Sequence, residues 1–250
     1  MLPWGFMEIT EDNPKPSRWE GLSLVSGIVF AVLQLGVLVY FVVFVFPKLG
    51  PMDASATVRA SAYTQHGETL RLGNYLMTLP AVFLLFFLNG LYAVLRRLEG
   101  GSGLLAIATM ASGIAMSMLW PLSAVVSDIA IDIAKGGGDA ATVAAFGAIG
   151  PYTLALSALP RTVLLVATSL VLLDPRFAYR WIGWAGFGVA FLSIVGTTTL
   201  VFKEMFAVLA CGTVLFEFWI LAVSIALLRH REMVRRMGRL GMTPVVKTGG

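Results

Sequence analysis

Charge is what this chain has least of. Only 13% of its 250 residues are Asp, Glu, Lys or Arg, about half the share found in soluble domains. With 58% hydrophobic residues, a water-soluble globule of this length has no interior large enough to hide its apolar side chains. The same composition excludes disorder, which needs low hydrophobicity and high net charge. A single cysteine, Cys211, excludes a disulfide framework and a dithiol redox centre. The two histidines, His66 and His230, are too few and too far apart for an intramembrane metal cluster or bis-histidine haem. No Gly-x-Ser-x-Gly elbow is present, and no histidine lies in an apolar run to activate a serine. Walker and dinucleotide glycine motifs are absent as well. The reading therefore expects no cofactor and no metal.

Six apolar runs remain, each long enough for the roughly 20 residues that cross a bilayer core. They are Leu22–Phe46, Leu76–Leu95, Leu104–Val126, Tyr152–Leu173, Trp181–Val201 and Met205–Leu228, each bounded by charge, proline or glycine. The runs are continuous, without the alternation of an outer-membrane barrel strand. The expected fold is all-α: a polytopic membrane bundle of six transmembrane helices over 22–228, between an N-terminal segment (1–21) and a basic tail (229–250). Residues 1–21 hold Glu8, Glu11, Asp12 and Glu20 with three prolines. That composition predicts an uncleaved first span, because a secretory signal opens on a short basic region and has a shorter apolar core.

The basic residues set an expected orientation. With a cytoplasmic N-terminus, 12 of the 18 Lys and Arg fall on the inner side, 5 fall outside and Arg161 lies within a span. Positive charge accumulates on the cytoplasmic side, so both termini are expected there, in a bacterial-type plasma membrane. The basic cluster from Arg229 to Arg239 reads as a stop-transfer signal attracted to anionic lipid. It lacks interleaved aromatics, so nucleic acid is not an expected partner. Trp4, Trp19, Trp181 and Trp184 fall near inner boundaries and read as interfacial anchors.

Two connecting segments are long. In Pro47–Tyr75, Asp53 can cap a helix carrying Val58, Ala62 and Tyr63 at helical spacing, which predicts a short helix lying on the membrane. His66 and Glu68 in the same segment lack a third ligand and read as solvated loop residues. In Asp128–Gly150, Asp139 can cap an interfacial helix over Ala140–Ile149, ahead of a span that begins at Pro151. Asp128 and Asp132 share one helix face, a pattern that binds cations but more commonly marks a wet helix end. Gly183, Gly186 and Gly188 sit inside the fifth span and predict close helix packing. No internal repeat relates the spans, so a transporter built from inverted halves gains no support.

A charge at the centre of a membrane helix costs about 2.5–3.5 kcal/mol on insertion scales and is a functional hypothesis by default. Two residues qualify, Arg161 in the fourth span and Glu217 in the sixth. Counted at 1.5 Å per residue, Arg161 lies about 18 Å from the inner edge, Glu217 about 16 Å and Gln34 about 18 Å. Equal depth and opposite charge predict a polar network of Arg161, Glu217 and Gln34. Asn89, about 9 Å deep, can join it through water. Trp120 and Trp219 lie deeper than the anchors and either stack on a ligand or pack between helices. Pro80, Pro121 and Pro160 each free a backbone carbonyl inside a span, and Pro160 directly precedes Arg161. An Arg161–Glu217 pair can be a structural staple between the fourth and sixth spans. That is the favoured reading; the alternative is that the pair lines a cavity that binds a headgroup or relays a proton.

Three stretches carry a family resemblance: Leu91-Tyr92-Ala93-Val94-Leu95-Arg96-Arg97, Pro175-Arg176-Phe177-Ala178-Tyr179-Arg180-Trp181-Ile182-Gly183 and Phe216-Glu217-Phe218-Trp219-Ile220-Leu221. They resemble a family of bacterial six-helix integral membrane proteins known only as a domain of unknown function. The resemblance implies the six-span architecture and makes Glu217 a family feature. It implies no activity. Three functions stay open at this level. The leading expectation is a non-enzymatic binder of a lipid-like or small apolar ligand, or an accessory subunit of a membrane complex. The second is a small oligomeric transporter or channel using the Arg161–Glu217 pair, and the third an intramembrane enzyme with Glu217 as acid or base. Expected partners are membrane lipids and either further copies of the chain or a larger membrane complex.

Overall fold

The computed structural model describes residues 18–50, 54–175 and 177–239, with the backbone alone for 234–239. The expectations for residues 1–17 with Trp4, for Asp53 as a cap, for Arg176 and for the tail beyond Arg239 lie outside the described residues. Helix α1 (Arg18–Tyr40) continues through a π-helical turn, Phe41–Val45, into the short α2 (Phe46–Leu49). Pro47 lacks an N–H and its ring crowds the carbonyl four residues back. The ladder widens just before it, with the Phe46 N–H donating to the Phe41 carbonyl. Next come α3 (Ala56–Glu99), α4 (Leu104–Lys135), α5 (Ala140–Leu156), α6 (Ala158–Leu172), α7 (Trp181–Gly196) and α8 (Phe206–Arg239). Two 3₁₀ turns, Thr197–Leu200 and Lys203–Met205, join α7 to α8.

Six of the described helical stretches are long and apolar enough to cross a membrane. The chain is an all-α, multi-pass membrane protein, and α5 with α6 forms one span broken at Ser157. The six spans close a ring in the order α1, α3, α4, α6, α7, α8, with α8 returning to α1, while α3 also touches α6 across the interior. Bulky apolar side chains such as Val32, Phe86, Phe191 and Phe218 point outward, as a lipid-facing surface requires. Trp19, Trp181 and Trp184 also face outward, at the end of the bundle that carries Arg96 and Arg97.

Helix length corrects two sequence expectations. The 44 residues of α3 extend about 66 Å, twice the thickness of a bilayer core. The stretch after Asp53 is therefore no separate surface helix. It is the first half of α3, started by Ser55, whose hydroxyl accepts from the Val58 N–H at 3.4 Å. Ala140–Ile149 likewise belongs to α5, which runs unbroken through Pro151. Within α5 that proline costs one hydrogen bond, and packing against α3 and α4 holds the helix across the gap.

These extensions build a second core beyond the span, where Tyr63 and Leu70 of α3 meet Ala130 and Ile131 of α4 and Val143 of α5. Polar ties run along its rim. Asn74 donates to Asp128 at 2.7 Å, Arg71 pairs with Asp132 and Lys135 with Glu68. Asp128 and Asp132 are thus committed to α3, which removes them as a cation site. No group of three metal-ligating side chains occurs among the described residues.

Glycines set the spacing in the ring. A Cβ on Gly186 would lie 2.1 Å from the Ser169 hydroxyl and 2.9 Å from the Trp219 indole nitrogen, and one on Gly183 would lie 3.0 Å from the Ser169 carbonyl. Gly188, expected to pack in the same way, has open space where its Cβ would be. Gly186→Ala should destabilise the bundle by about 1–3 kcal/mol through overpacking. Gly188→Ala should be neutral or mildly stabilising. Thermal melting of the two variants in detergent separates these outcomes.

Asp139 caps α5, accepting from the Ala141 and Thr142 N–H groups at 3.0 Å each. Hydrogen bonds from the Thr142 hydroxyl and amide hold its carboxyl below the usual carboxylate range. A depressed native value means that the cap's stabilisation is present above the ordinary carboxylate pKa of about 4 and is lost as pH falls through the native value. Between pH 6 and pH 3 the amides at the start of α5 should lose hydrogen-exchange protection, and Asp139→Ala should lack that pH dependence.

Candidate functional site

The polar centre begins with a broken helix. Pro160 has no N–H to offer the Leu156 carbonyl, so the ladder is interrupted and α6 restarts at Ala158. The break is pinned: the Ser157 hydroxyl donates to the Leu154 carbonyl at 2.6 Å and accepts from the Trp120 indole N–H at 3.1 Å. Trp120 stacks on Phe30 of α1, with ring centroids 5.8 Å apart and planes 9° from parallel. Across the ring, the Trp219 indole N–H donates to the Ile182 carbonyl at 2.9 Å. Both deep tryptophans therefore have their one polar atom satisfied and serve as packing between helices.

Arg161 emerges one turn beyond the break, 1% exposed. Its Nη1 donates to the Thr213 hydroxyl of α8 at 2.8 Å, and that hydroxyl donates on to the Leu209 carbonyl at 2.9 Å. The guanidinium lies over the Phe216 ring, 5.7 Å from its centroid. Glu217 is 0% exposed and sits one α8 turn after Thr213. The direct Arg161–Glu217 contact expected from their equal depth does not form. The arginine's reach ends at Thr213, one α8 turn before Glu217. Charge still couples the two, at longer range. The staple between the fourth and sixth spans is Arg161–Thr213.

Gln34 is 1% exposed, and its level follows from helix register. A Cβ on Gly21 would meet Arg231, and one on Gly27 would meet Ser224, so α1 and α8 run antiparallel. Two turns from Gly27 along α1 is Gln34, and two turns from Ser224 back along α8 is Glu217. The two therefore share a level on facing seams. Asn89 does not join them. It is exposed on the outer face of α3 and donates to its own Leu85 carbonyl at 2.9 Å.

What the centre lacks is partners. Nε and Nη2 of Arg161, both carboxyl oxygens of Glu217 and Oε1 of Gln34 are fully inaccessible and have no hydrogen bond. Buried polar atoms in folded proteins are paired in about 90% of cases or more, and each orphan costs about 1–3 kcal/mol, more where the group is charged. Five such atoms around one level of the bilayer are a concentration that packing does not explain. They offer two donors to one side and carboxyl and amide acceptors to the other, the means to grip a small polar guest or a proton.

Sequence reasoning missed Thr213 and Ser157. The signal for Thr213 was its position four residues before Glu217, on the same helix face. It missed as well the buried Thr109–Thr168 hydroxyl pair at 3.2 Å, which ties α4 to α6. Comparison with protein-family models, with curated proteins and with solved structures returns no match to this chain.

Thr213→Val removes the one acceptor of the Arg161 guanidinium while preserving shape. It should cost about 1–3 kcal/mol, read as a lower melting temperature in detergent, and Thr213→Ser should restore the loss. Equal melting of wild type and Thr213→Val would remove Thr213 from the account.

Proposed function

We propose that this chain is a non-enzymatic integral membrane protein of the small-carrier kind, held here in a sealed form. Its polar centre of Arg161, Glu217 and Gln34 opens to receive a small polar or ionic solute. The carrying observation is the set of buried, unpartnered polar atoms at the level of Arg161, beside the turn that Pro160 interrupts. Intramembrane ionisable groups mark transport pathways and proton relays.

The expected binder of a lipid-like ligand fits less well. No accessible space touches the orphaned atoms, and every span contacts both its neighbours in the ring. An acyl chain has neither a cavity nor a lateral entrance beside the centre. An enzyme using Glu217 would need a second catalytic group; of the two that the sequence offered, Asn89 faces outward and Arg161 is bonded to Thr213. The basic-residue asymmetry supports both termini on the cytoplasmic side, and the resemblance to an uncharacterised bacterial family supports a bacterial plasma membrane.

Met116 supplies the test. The Trp120–Ser157 and Thr109–Thr168 bonds fix the register of α4 against span four and put Met116, fully buried, level with Arg161. In a Cys211→Ala background, Met116→Cys in proteoliposomes should react with a membrane-impermeant maleimide added to one face, more slowly than a cysteine at the rim. Labelling only after detergent denaturation, from neither face in the membrane, would defeat the carrier reading.

A further inference from the structure

Sealing restricts what the centre can hold in this form. Arg161 lies over Phe216, and the core of the bundle is filled with large buried side chains, Phe30, Phe87, Met116 and Trp120 among them. No space of water size reaches either carboxyl oxygen. A solute of several atoms needs the bundle to open, whereas a proton needs no volume at all.

The surroundings of Glu217 are those of a group that changes charge. A carboxylate kept permanently ionised in an interior collects several donors, commonly backbone N–H groups or a bidentate arginine. Glu217 receives none. The helices flanking α8 bring no Asp, Glu, Lys, Arg or His to it over Leu22–Phe46 of the first span or Trp181–Gly196 of α7. Arg161, presented from α6, reaches α8 at Thr213, one turn before Glu217. That guanidinium is held by Thr213 and Phe216, so it stays in place whichever charge Glu217 carries. Gln34, level with Glu217 on α1, has an unused carbonyl oxygen. A protonated carboxyl has one O–H to donate, and the α1–α8 register puts the unused Gln34 Oε1 at its level as an acceptor for it.

We propose that Glu217 is a proton-binding site, exchanging one proton with bulk water when the centre opens and holding it against Gln34 when the centre is sealed. The exchange is the balanced step Glu217–COO⁻ + H⁺ ⇌ Glu217–COOH, with Arg161 a fixed cation throughout. Protonation cancels the attraction between Glu217 on α8 and Arg161 on α6. The proton thereby changes how strongly the two helices hold together, and the same site that binds it can drive opening. The use of the proton rests on the carrier reading; its binding does not.

Infrared difference spectroscopy of the full-length protein in lipid nanodiscs tests the proposal, with the proton itself as probe. Stepping the pH across the range where the protein stays folded should change a protonated-carboxyl carbonyl band in wild type. That band should be lost in Glu217→Gln and shifted in Gln34→Leu, with circular dichroism checking that both variants fold. A spectrum with no pH-dependent carboxyl band beyond that of Glu217→Gln overturns the proposal, and an unshifted band in Gln34→Leu overturns the part given to Gln34. If Glu217→Gln fails to fold, isotope-edited glutamate in wild type and Gln34→Leu reads the same band. A titrating band together with a Met116→Cys that is never labelled would keep the proton site and remove the carrier. Labelling without the band would do the reverse.

Discussion

Moving an ion from water into a low-dielectric interior costs several kcal/mol even after a protein relaxes around it, and that penalty governs the arrangement at the middle of this bundle. A guanidinium and a carboxyl are both taken fully out of water there. A structure optimised for stability alone would bring them together in a two-pronged ion pair or replace both with leucine. Neither has happened. The arginine rests on a threonine hydroxyl and an aromatic face, the glutamate rests on nothing polar, and the attraction between them is left partly unused. Stability has been withheld at one level of the bilayer, and the rest of the ring compensates with close glycine contacts and aromatic stacking.

Arg161 crosses from α6 to α8 but closes on Thr213, one turn before Glu217, and the proline-interrupted turn of span four comes just before it. The break is itself secured through Trp120, so local irregularity is tied into the core. The Ser157 hydroxyl bonds within the turn, to the Leu154 carbonyl, and so ties the interruption to the helix before it.

Much of the architecture was legible in the residues. Unbroken apolar runs separated by charge gave the six spans, and depth counting singled out Arg161, Glu217 and Gln34 as one polar level. Span ends were harder to read. Hydropathy reports where lipid stops and not where a helix stops, so the first half of α3 and the start of α5, which read as separate interfacial helices, continue the spans on the strength of their packing against α4. The direct ion pair was misjudged for a related reason. Depth is a one-dimensional coordinate: it brought Arg161 to the right helix, but not to the residue one turn earlier, Thr213, that takes its hydrogen bond. Asn89 illustrates the same gap: a polar residue at a plausible depth, but on the outer face of its helix.

The overlong α3 has a mechanical consequence. Because it continues past the lipid and is braced there by α4 and α5, the protein carries a stiff three-helix stalk on the face opposite Arg96 and Arg97. A molecule approaching from that side meets ordered helix instead of pliable loops, and a tilt imposed on the stalk is carried along unbroken backbone toward the bilayer interior.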